Sequence, residues 1–200
     1  LIAYDTALGW RFVNPRMEAL YGTDPMGVTA ENIAEMTGIT RLEQDEFALT
    51  SHQRAVAAQD SGKFGEEILP VSVPQRKGDP VVISQDERPR RDTSLEALSR
   101  LKPAFKLNGT ITAGNSSGLN DGAAAMLVMS AEKAHALGLK PMARFISSAA
   151  SGIEPRIMGL GPIEATRRAL ARAGLQIGDI SLAEINEAFA VQTLAVMREL

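Results

Sequence analysis

The sequence predicts an α/β fold, mainly because its apolar stretches and helix signals alternate. In the last third, residues 142–150 and 180–185 are predicted strands, and a helix that starts with a Gly-Pro pair lies between them. A further helix is predicted to begin at Asn186. Strands and helices in this order imply parallel pairing with right-handed crossovers. Upstream, residues 123–129 form an unbroken small and apolar run that suits a strand buried on both faces.

Capping patterns mark the starts of three other helices. Thr40 and Glu43 form a capping-box pattern ahead of a long helix. Thr93 and Glu96 repeat the pattern ahead of a shorter one, and Ser130 is a third cap. The sequence therefore predicts helices at these places with defined starting residues.

Short strands are predicted in the first half. Residues 68–73 and 81–84 flank a polar turn and predict a hairpin. Residues 109–113 are predicted to be a strand that enters a loop rich in Gly, Asn and Ser. The first 108 residues are otherwise charged and irregular.

Composition argues against several classes of function. The formal net charge of −3 gives no reason to expect nucleic acid or an anionic membrane as a partner. No apolar run approaches the roughly 20 residues that span a bilayer. The first ten residues lack the pattern of a signal peptide, so we expect a cytoplasmic protein. Because the chain does not begin with Met and ends within a predicted helix, we expect both ends to be internal to a longer protein.

The chain contains no cysteine, which excludes disulfides and thiol nucleophiles within these 200 residues. His52 and His135 lie on predicted helices without ligand spacing, so we expect both on the solvated surface and no metal site. A P-loop is excluded because the chain has no Gly-x-x-x-x-Gly-Lys-Ser/Thr pattern. A dinucleotide-binding loop is excluded because Gly159-Leu160-Gly161 is followed by Pro162 without the third glycine.

The first candidate for chemistry is Asn186-Glu187-Ala188-Phe189, at a predicted strand-to-helix junction. Ligands bind at the carboxyl ends of parallel strands, and a helix start supplies free N–H groups. An Asn amide there can hold a water or donate to a developing oxyanion. Asn is also a good N-cap, and from these four residues alone the cap is the favoured interpretation.

The second candidate is the run from Thr112 to Ala125, whose sequence is TAGNSSGLNDGAAA. So many small residues beside a buried strand let a backbone or a ligand approach closely. Ser117 adds a hydroxyl, and the turn adds several N–H groups. A loop that only reverses the chain remains an equal alternative.

Together the two motifs, about 70 residues apart, resemble the thiolase family. The resemblance continues in unbroken order through the segments MGVTAEN from Met26, QRKG from Gln75, LKPAF from Leu101 and MGLGP from Met158. It implies the layered αβαβα fold of thiolases. It also implies three parts within the chain: a CoA-binding loop domain at 1–118, the end of the N-terminal thiolase domain at 119–140, and the start of the C-terminal domain at 141–200.

The resemblance implies cleavage of a 3-oxoacyl-CoA by CoA, or the reverse condensation. Thiolases use one Cys as acyl acceptor, a second Cys as acid and base, and a His and an Asn for the oxyanion hole. Only the Asn matches here, as Asn186. We expect the two Cys and the His outside this chain, and the 200 residues alone to be inactive. CoA and acyl-CoA are then substrates, and no cofactor is expected.

Matched position by position, the family's CoA and active-site contacts fall on Met26, Phe105, Ala113, Ser117, Gly118 and Phe189. Arg90 matches the residue near the adenine and ribose phosphate, although its basic stretch, residues 88–91, is by itself typical of a solvated turn. Pro25 stands where several biosynthetic members carry His, which changes the polar contacts near Met26.

Two segments, 5–15 and 73–78, look like the β-ketoadipyl-CoA (3-oxoadipyl-CoA) thiolases of aromatic-compound degradation, which yield succinyl-CoA and acetyl-CoA. Such an acyl chain ends in a carboxylate, and Arg pairs with carboxylates through two hydrogen bonds. Arg11 and Arg16 are candidates by type and position, and surface residues that shape the loop are the equal alternative.

Two other functions stay open. A general acetyl-CoA acetyltransferase would differ in its acyl-tail pocket and not in its chemistry. A non-catalytic acyl-CoA-binding relative is the other, and the retained Asn-Glu-Ala-Phe argues against it. The family suggests a homodimer or homotetramer, and no nucleic-acid or membrane partner is expected.

Overall fold

The computed structural model describes residues 12–200, and most of its regular structure there is helical. The helices are α1 (Pro15–Tyr21), α2 (Met26–Thr37), α3 (Arg41–Asp60), α4 (Leu95–Ser99), α5 (Ala131–Ala136), α6 (Gly161–Ala173) and α7 (Ala190–Glu199). Strands β1 (Val71–Val73) and β2 (Val81–Ile83) pair antiparallel, with Val71 opposite Ile83. Short 3-10 turns span Lys63–Glu66, Pro155–Leu160 and Ile177–Asp179. The predicted hairpin is therefore confirmed, with shorter strands than expected.

Local caps explain where the helices begin. At α3 the predicted capping box is present: the Glu43 N–H donates to Thr40 Oγ1 at 3.3 Å, and the Thr40 N–H donates to Glu43 Oε2 at 2.7 Å. The Glu43 carboxyl accepts from the Thr40 N–H, from the Thr40 hydroxyl and from Arg198, and these hydrogen bonds, in that order, lower its pKa to about 2. Ser130 caps α5 as predicted, by accepting from the Lys133 N–H. The cap of α4 is Ser94 and not Thr93, since Ser94 Oγ accepts from the Ala97 N–H at 3.1 Å.

The core lies where α2, α7 and the 3-10 turn Pro155–Leu160 meet. The buried side chains at its centre are Ala30, Ile33, Ile111, Leu160, Val191, Ala195 and Val196. The long helix α3 packs beside α7 and α4. This core supports both predicted motifs, because Ile111 precedes the glycine-rich run and Val191 follows Phe189.

Four of the predicted strands are absent, and this is the main correction to the sequence analysis. Residues 109–113, 123–129, 142–150 and 180–185 form no strand ladder in the structure. The reason is that a strand needs a neighbour for its backbone hydrogen bonds, and residues 12–200 supply none for these segments. The run 123–129, expected to be buried on both faces, is exposed, with Leu127 at 87% and Val128 at 81% of full exposure.

Within residues 12–200, none of the helices combines the length and the apolar character that crossing a membrane requires.

Candidate functional site

The two predicted motifs are joined by backbone hydrogen bonds. The Ser117 N–H donates to the Ala188 carbonyl at 2.9 Å, and the Ala190 N–H donates to the Asn115 carbonyl at 2.9 Å. Between these two bonds, Ser116 and Phe189 face each other as an isolated antiparallel bridge. The glycine-rich turn and the Asn-Glu-Ala-Phe turn therefore form one unit, although they are about 70 residues apart in sequence.

The turn that carries Asn186 is held by its neighbours. Helix α7 begins at Ala190, where Gln192 Oε1 accepts from the Phe189 N–H at 3.2 Å. Ser51 on α3 donates its hydroxyl to Glu187 Oε2 at 2.7 Å. Asn186 is exposed, and its side-chain amide has no hydrogen-bond partner among the described residues. Because the N-cap of α7 is Phe189, the interpretation of Asn186 as the helix cap is wrong.

An aromatic pair forms one wall beside this unit. The rings of Phe105 and Phe189 lie 6.3 Å apart and nearly perpendicular, at 84°. The Phe105 ring also covers Gly27, where an added Cβ would lie only 2.1 Å from the ring. Gly27 follows Met26 at the start of α2. Phe105 therefore packs between Gly27 and Phe189 beside the joined turns.

The other predicted contacts lie on the glycine-rich turn itself. Ala113, Ser117 and Gly118 are all exposed. Beneath them, Thr112 and Asn115 are buried. The turn therefore presents one accessible side, made of small side chains and backbone, and keeps its hydrogen-bonding side chains inside.

A buried carboxylate anchors the segment that leads into this turn. Glu31, which is 2% exposed, accepts from the Thr110 N–H at 2.9 Å and from the Ile111 N–H at 2.9 Å. A Cβ at Gly109 would lie 2.1 Å from Glu31 Oε1, so the chain passes very close to the carboxylate. Sequence reasoning missed this residue. The available signal was an acidic side chain on the apolar face of α2, next to Ala30.

A second buried group fixes the turn from α3. The Asn115 side-chain amide donates to Asp45 Oδ1 at 3.1 Å, and its oxygen accepts from the Thr112 N–H at 2.8 Å. Asp45 in turn pairs with Arg41, whose Nε lies 2.8 Å from Oδ2. Both Asp45 and Asn115 are at most 3% exposed. The charge of Asp45 is therefore compensated, and Asn115 is held in one orientation.

The basic stretch 88–91 lies beside the same turn. The Arg88 guanidinium packs against Gly118, where an added Cβ would be 2.6 Å from Cζ, and Arg88 Nη2 donates to the Leu119 carbonyl at 3.3 Å. The Arg90 N–H donates to His52 Nδ1 at 3.2 Å, while the Arg90 side chain is exposed. Within this stretch, Arg88 is the residue whose guanidinium contacts the turn.

His52 corrects another expectation. It was predicted on the solvated surface, yet it is only partly exposed and accepts the hydrogen bond from Arg90. Burial, and then the positive charge of Arg90, lower the pKa of His52 below its usual value of 6.5. Residues 12–200 contain no cluster of three or more His, Asp or Glu side chains arranged to hold a metal ion.

The structure describes one of the two predicted carboxylate-binding arginines, and that one is not part of this unit. Arg11 lies outside the described residues. Arg16 lies in the first turn of α1, where its N–H donates to Asn14 Oδ1 at 3.0 Å and its side chain is exposed.

Comparison with protein families agrees with this geometry. Residues 11–132 match the model of the N-terminal domain of thiolase, and residues 139–200 match that of its C-terminal domain. The chain belongs to the thiolase family.

Two individual relatives and one solved structure support the same family assignment. The "3-oxoadipyl-CoA/3-oxo-5,6-dehydrosuberyl-CoA thiolase" of Escherichia coli strain K12 is 55% identical over 197 residues, which are 98% of this chain and 49% of the relative. The "Acetyl-CoA acetyltransferase" of Pseudomonas aeruginosa strain PAO1 is 58% identical over 175 residues, 88% of this chain and 44% of the relative. The crystal structure of the Bacillus anthracis acetyl-CoA acetyltransferase has a TM-score of 0.84 and 46% identity, and the match covers 96% of this chain and 50% of that one.

The chain therefore has the α/β fold of the thiolases and spans about half the length of the curated relatives that it matches. These relatives have about as much chain again outside the match.

Proposed function

We propose that the full-length protein is a thiolase, an acyltransferase that cleaves a 3-oxoacyl-CoA with a second CoA. In this reaction the bond between C2 and C3 of the acyl chain breaks. C2 takes a proton and leaves as acetyl-CoA, while the remaining acyl group is transferred to the sulfur of the second CoA. The 200 residues contain no thiol, so the nucleophile must come from another part of the full-length protein.

One observation carries this proposal: the hydrogen bonds that join residues 115–117 to residues 188–190. They hold the proposed CoA-binding turn directly beside the turn that carries Asn186. The Asn186 amide, which has no side-chain hydrogen-bond partner among residues 12–200, is the group that we propose for the oxyanion hole, where a pre-oriented donor stabilises developing negative charge. The proposed contacts to CoA and the acyl group are Met26, Arg90, Phe105, Ala113, Ser117, Gly118 and Phe189.

For the substrate we propose 3-oxoadipyl-CoA, which gives succinyl-CoA and acetyl-CoA. The 55% identity to a relative named for that substrate supports this choice. From the sequence, Arg11 and Arg16 are candidates to bind the terminal carboxylate. The second candidate function is a general acetyl-CoA acetyltransferase, which the name of the Pseudomonas aeruginosa relative favours. A non-catalytic acyl-CoA-binding protein is the third.

Thiolysis by the full-length protein separates these functions. With 3-oxoadipyl-CoA and acetoacetyl-CoA at matched concentrations, we expect a clear preference for the dicarboxylic substrate. Equal or reversed preference would leave a thiolase of the general type. No turnover of either, with CoA still bound, would indicate the non-catalytic protein. The 200-residue chain serves as the control without a thiol, and thiolysis by it would contradict the proposed mechanism.

The role of Asn186 has its own test. We expect Asn186→Ala in the full-length protein to lower kcat on the order of 10²–10³-fold, the usual effect of removing one oxyanion donor. CoA binding, measured by calorimetry, should be nearly unchanged. Ser181→Ala, a second exposed residue in the same unpaired segment, is the matched control. Equal losses in activity and CoA affinity for Asn186→Ala would count against an oxyanion role.

The proposal includes a cytoplasmic location, as expected from the sequence analysis, and a homodimer or homotetramer, which follows from the family resemblance. Cell fractionation and sedimentation of the full-length protein test these two points.

A further inference from the structure

A groove of about 450 Å³ lies between α1, the start of α2 and the 3-10 turn Pro155–Leu160. This volume falls within the range of small-molecule sites, about 300–1,000 Å³. Much of its apolar wall consists of Met17, Tyr21, Met26 and Met158. Arg156 is the one cationic side chain among the lining residues that the structure describes. An apolar groove with one cation suits a chain of methylenes that ends in an anion.

The position of Arg156 is set by two neighbours. Its Nε lies 3.4 Å from Asp24 Oδ2, and its carbonyl accepts from Asn32 Nδ2 at 3.0 Å. The same Asn32 amide donates to Asp24 Oδ2 at 3.0 Å. Asp24 therefore receives hydrogen bonds from an amide and from one edge of the guanidinium.

The other edge of the Arg156 guanidinium is available. Neither Nη atom has a hydrogen-bond partner among residues 12–200, and the side chain is 56% exposed. A guanidinium has five N–H donors, so it can contact one carboxylate through Nε and bind a second one through the two Nη atoms.

We infer that this groove is the acyl-tail subsite and that Arg156 binds the terminal carboxylate of a dicarboxylic 3-oxoacyl-CoA. The inference rests on the proposed function, because Met26 connects the groove to the proposed acyl-CoA contacts. The three methionines contact the methylenes of the tail, a role that their unbranched, adaptable side chains suit. Asp24 and Asn32 act as positioning residues, since they hold Arg156. Asp24 also lines the groove, where its charge is paired with Arg156.

Arg156 fits this role better than Arg16 for a structural reason. Helix α1 contributes Met17 and Tyr21 to the groove, whereas Arg16 is not among the lining residues. The arginine that the groove uses comes from the second half of the chain, 132 residues after its partner Asp24.

The test compares two substrates of equal carbon number in the full-length protein. 3-Oxoadipyl-CoA carries the terminal carboxylate, and 3-oxohexanoyl-CoA carries a methyl group in its place. We expect Arg156→Met to lower kcat/KM for 3-oxoadipyl-CoA by about 10- to 100-fold, because a charge-assisted hydrogen-bonded pair is lost. The value for 3-oxohexanoyl-CoA should change little. Arg156→Lys should lie between wild type and Arg156→Met, since Lys keeps the charge and loses the planar pair of donors.

Arg168→Met is the matched control. Arg168 is also an arginine paired through Nε to a carboxylate, Glu164 at 2.7 Å, and its side chain is 50% exposed. It lies on α6 and lines neither the groove nor the joined turns. Both kcat/KM values should stay at the wild-type level in this variant.

Three outcomes would overturn the inference. Equal losses on both substrates would make Arg156 a structural link between α2 and the 3-10 turn. A selective loss in Arg16→Met, with none in Arg156→Met, would assign the carboxylate to Arg16. Turnover of neither substrate by the wild-type protein would refute the proposed function and this inference with it. If Arg156→Met fails to fold in a thermal unfolding experiment, the substrate ratio of Arg156→Lys decides.

Discussion

Two regions of this molecule have similar apolar composition, but one is buried and the other is exposed. Around Ile33 and Val191, side chains from α2, α7 and the glycine-rich segment are almost completely buried. In the run 123–129, Leu127 and Val128 are almost completely exposed. Apolar character alone therefore does not decide burial. The first region is closed by helices and polar anchors within the described chain, whereas the second is extended and has no neighbouring strand there.

The difference depends on whether a segment can satisfy its backbone hydrogen bonds by itself. A helix satisfies its own backbone hydrogen bonds, so α2 and α7 need only a face to pack against. An extended segment leaves its N–H and C=O groups to a neighbour. Residues 109–112 are the informative intermediate case, because Glu31 supplies acceptors that a neighbouring strand would otherwise supply.

The largest expected effect on stability tests the contrast between the buried core and the exposed run 123–129. In the 200-residue chain, Ile33→Ala should lower the free energy of unfolding by about 2–5 kcal/mol, because it leaves a cavity in the core. Leu127→Ala should change it by less than about 0.5 kcal/mol, because that side chain is already in water. Urea denaturation followed by circular dichroism measures both.

A large loss in Leu127→Ala would break the comparison, because it would mean that the run 123–129 packs against something in solution. An unchanged m-value in both variants is the check that the denatured state is the same.

A smaller difference in stability is expected between two variants of α2, one that replaces a buried carboxylate and one that replaces an exposed carboxylate. Glu31→Gln should cost about 2–3 kcal/mol, because an amide nitrogen would then face backbone N–H donors and lose the charge-assisted hydrogen bonds. Glu35→Gln, on the exposed side of α2 and paired with Lys106, should cost less than about 1 kcal/mol. Thermal unfolding of the two variants side by side measures the difference. Equal costs would show that Glu31 does not anchor the segment 110–111.

The smallest effect concerns His52, whose lowered pKa keeps it neutral at pH 7. The folded state binds a proton less readily than the unfolded state. The stability that this gives is therefore complete above the unfolded pKa of 6.5 and is lost as the pH falls through the lower, folded value. An NMR titration of the His52 ring should give a pKa below 6.5. His52→Asn keeps an acceptor and cannot titrate, so this part of the pH dependence should disappear. A His52 pKa at or above 6.5 would contradict the partial burial of His52 beside Arg90.

The sequence was most informative where structure is local. The capping box at Thr40 and the Ser130 cap were predicted because a cap needs only residues within one turn. The helix after Asn186 was predicted to begin four residues too early, since Asn186 and Glu187 look like a cap and the real start depends on Gln192. Four strands were predicted wrongly, because strand pairing depends on distant partners that a local pattern does not reveal.

The candidate site was predictable only in part. The resemblance selected both motifs, and the structure joins them. Glu31, Asp45 and Arg156 were not found, because each acts on residues more than 65 positions away and none has a spacing signal. A charged residue whose partner is distant in sequence looks like any surface charge until the fold is known.

The two hydrogen bonds that join the turns have a consequence for how this site can diverge. Both use backbone atoms only, so a substitution at Ser117 or Ala190 removes a donor only when the new residue is proline. All other replacements keep both N–H donors. Side chains around the junction can therefore vary with the acyl group that is recognised, while Asn186 keeps its place relative to the turn.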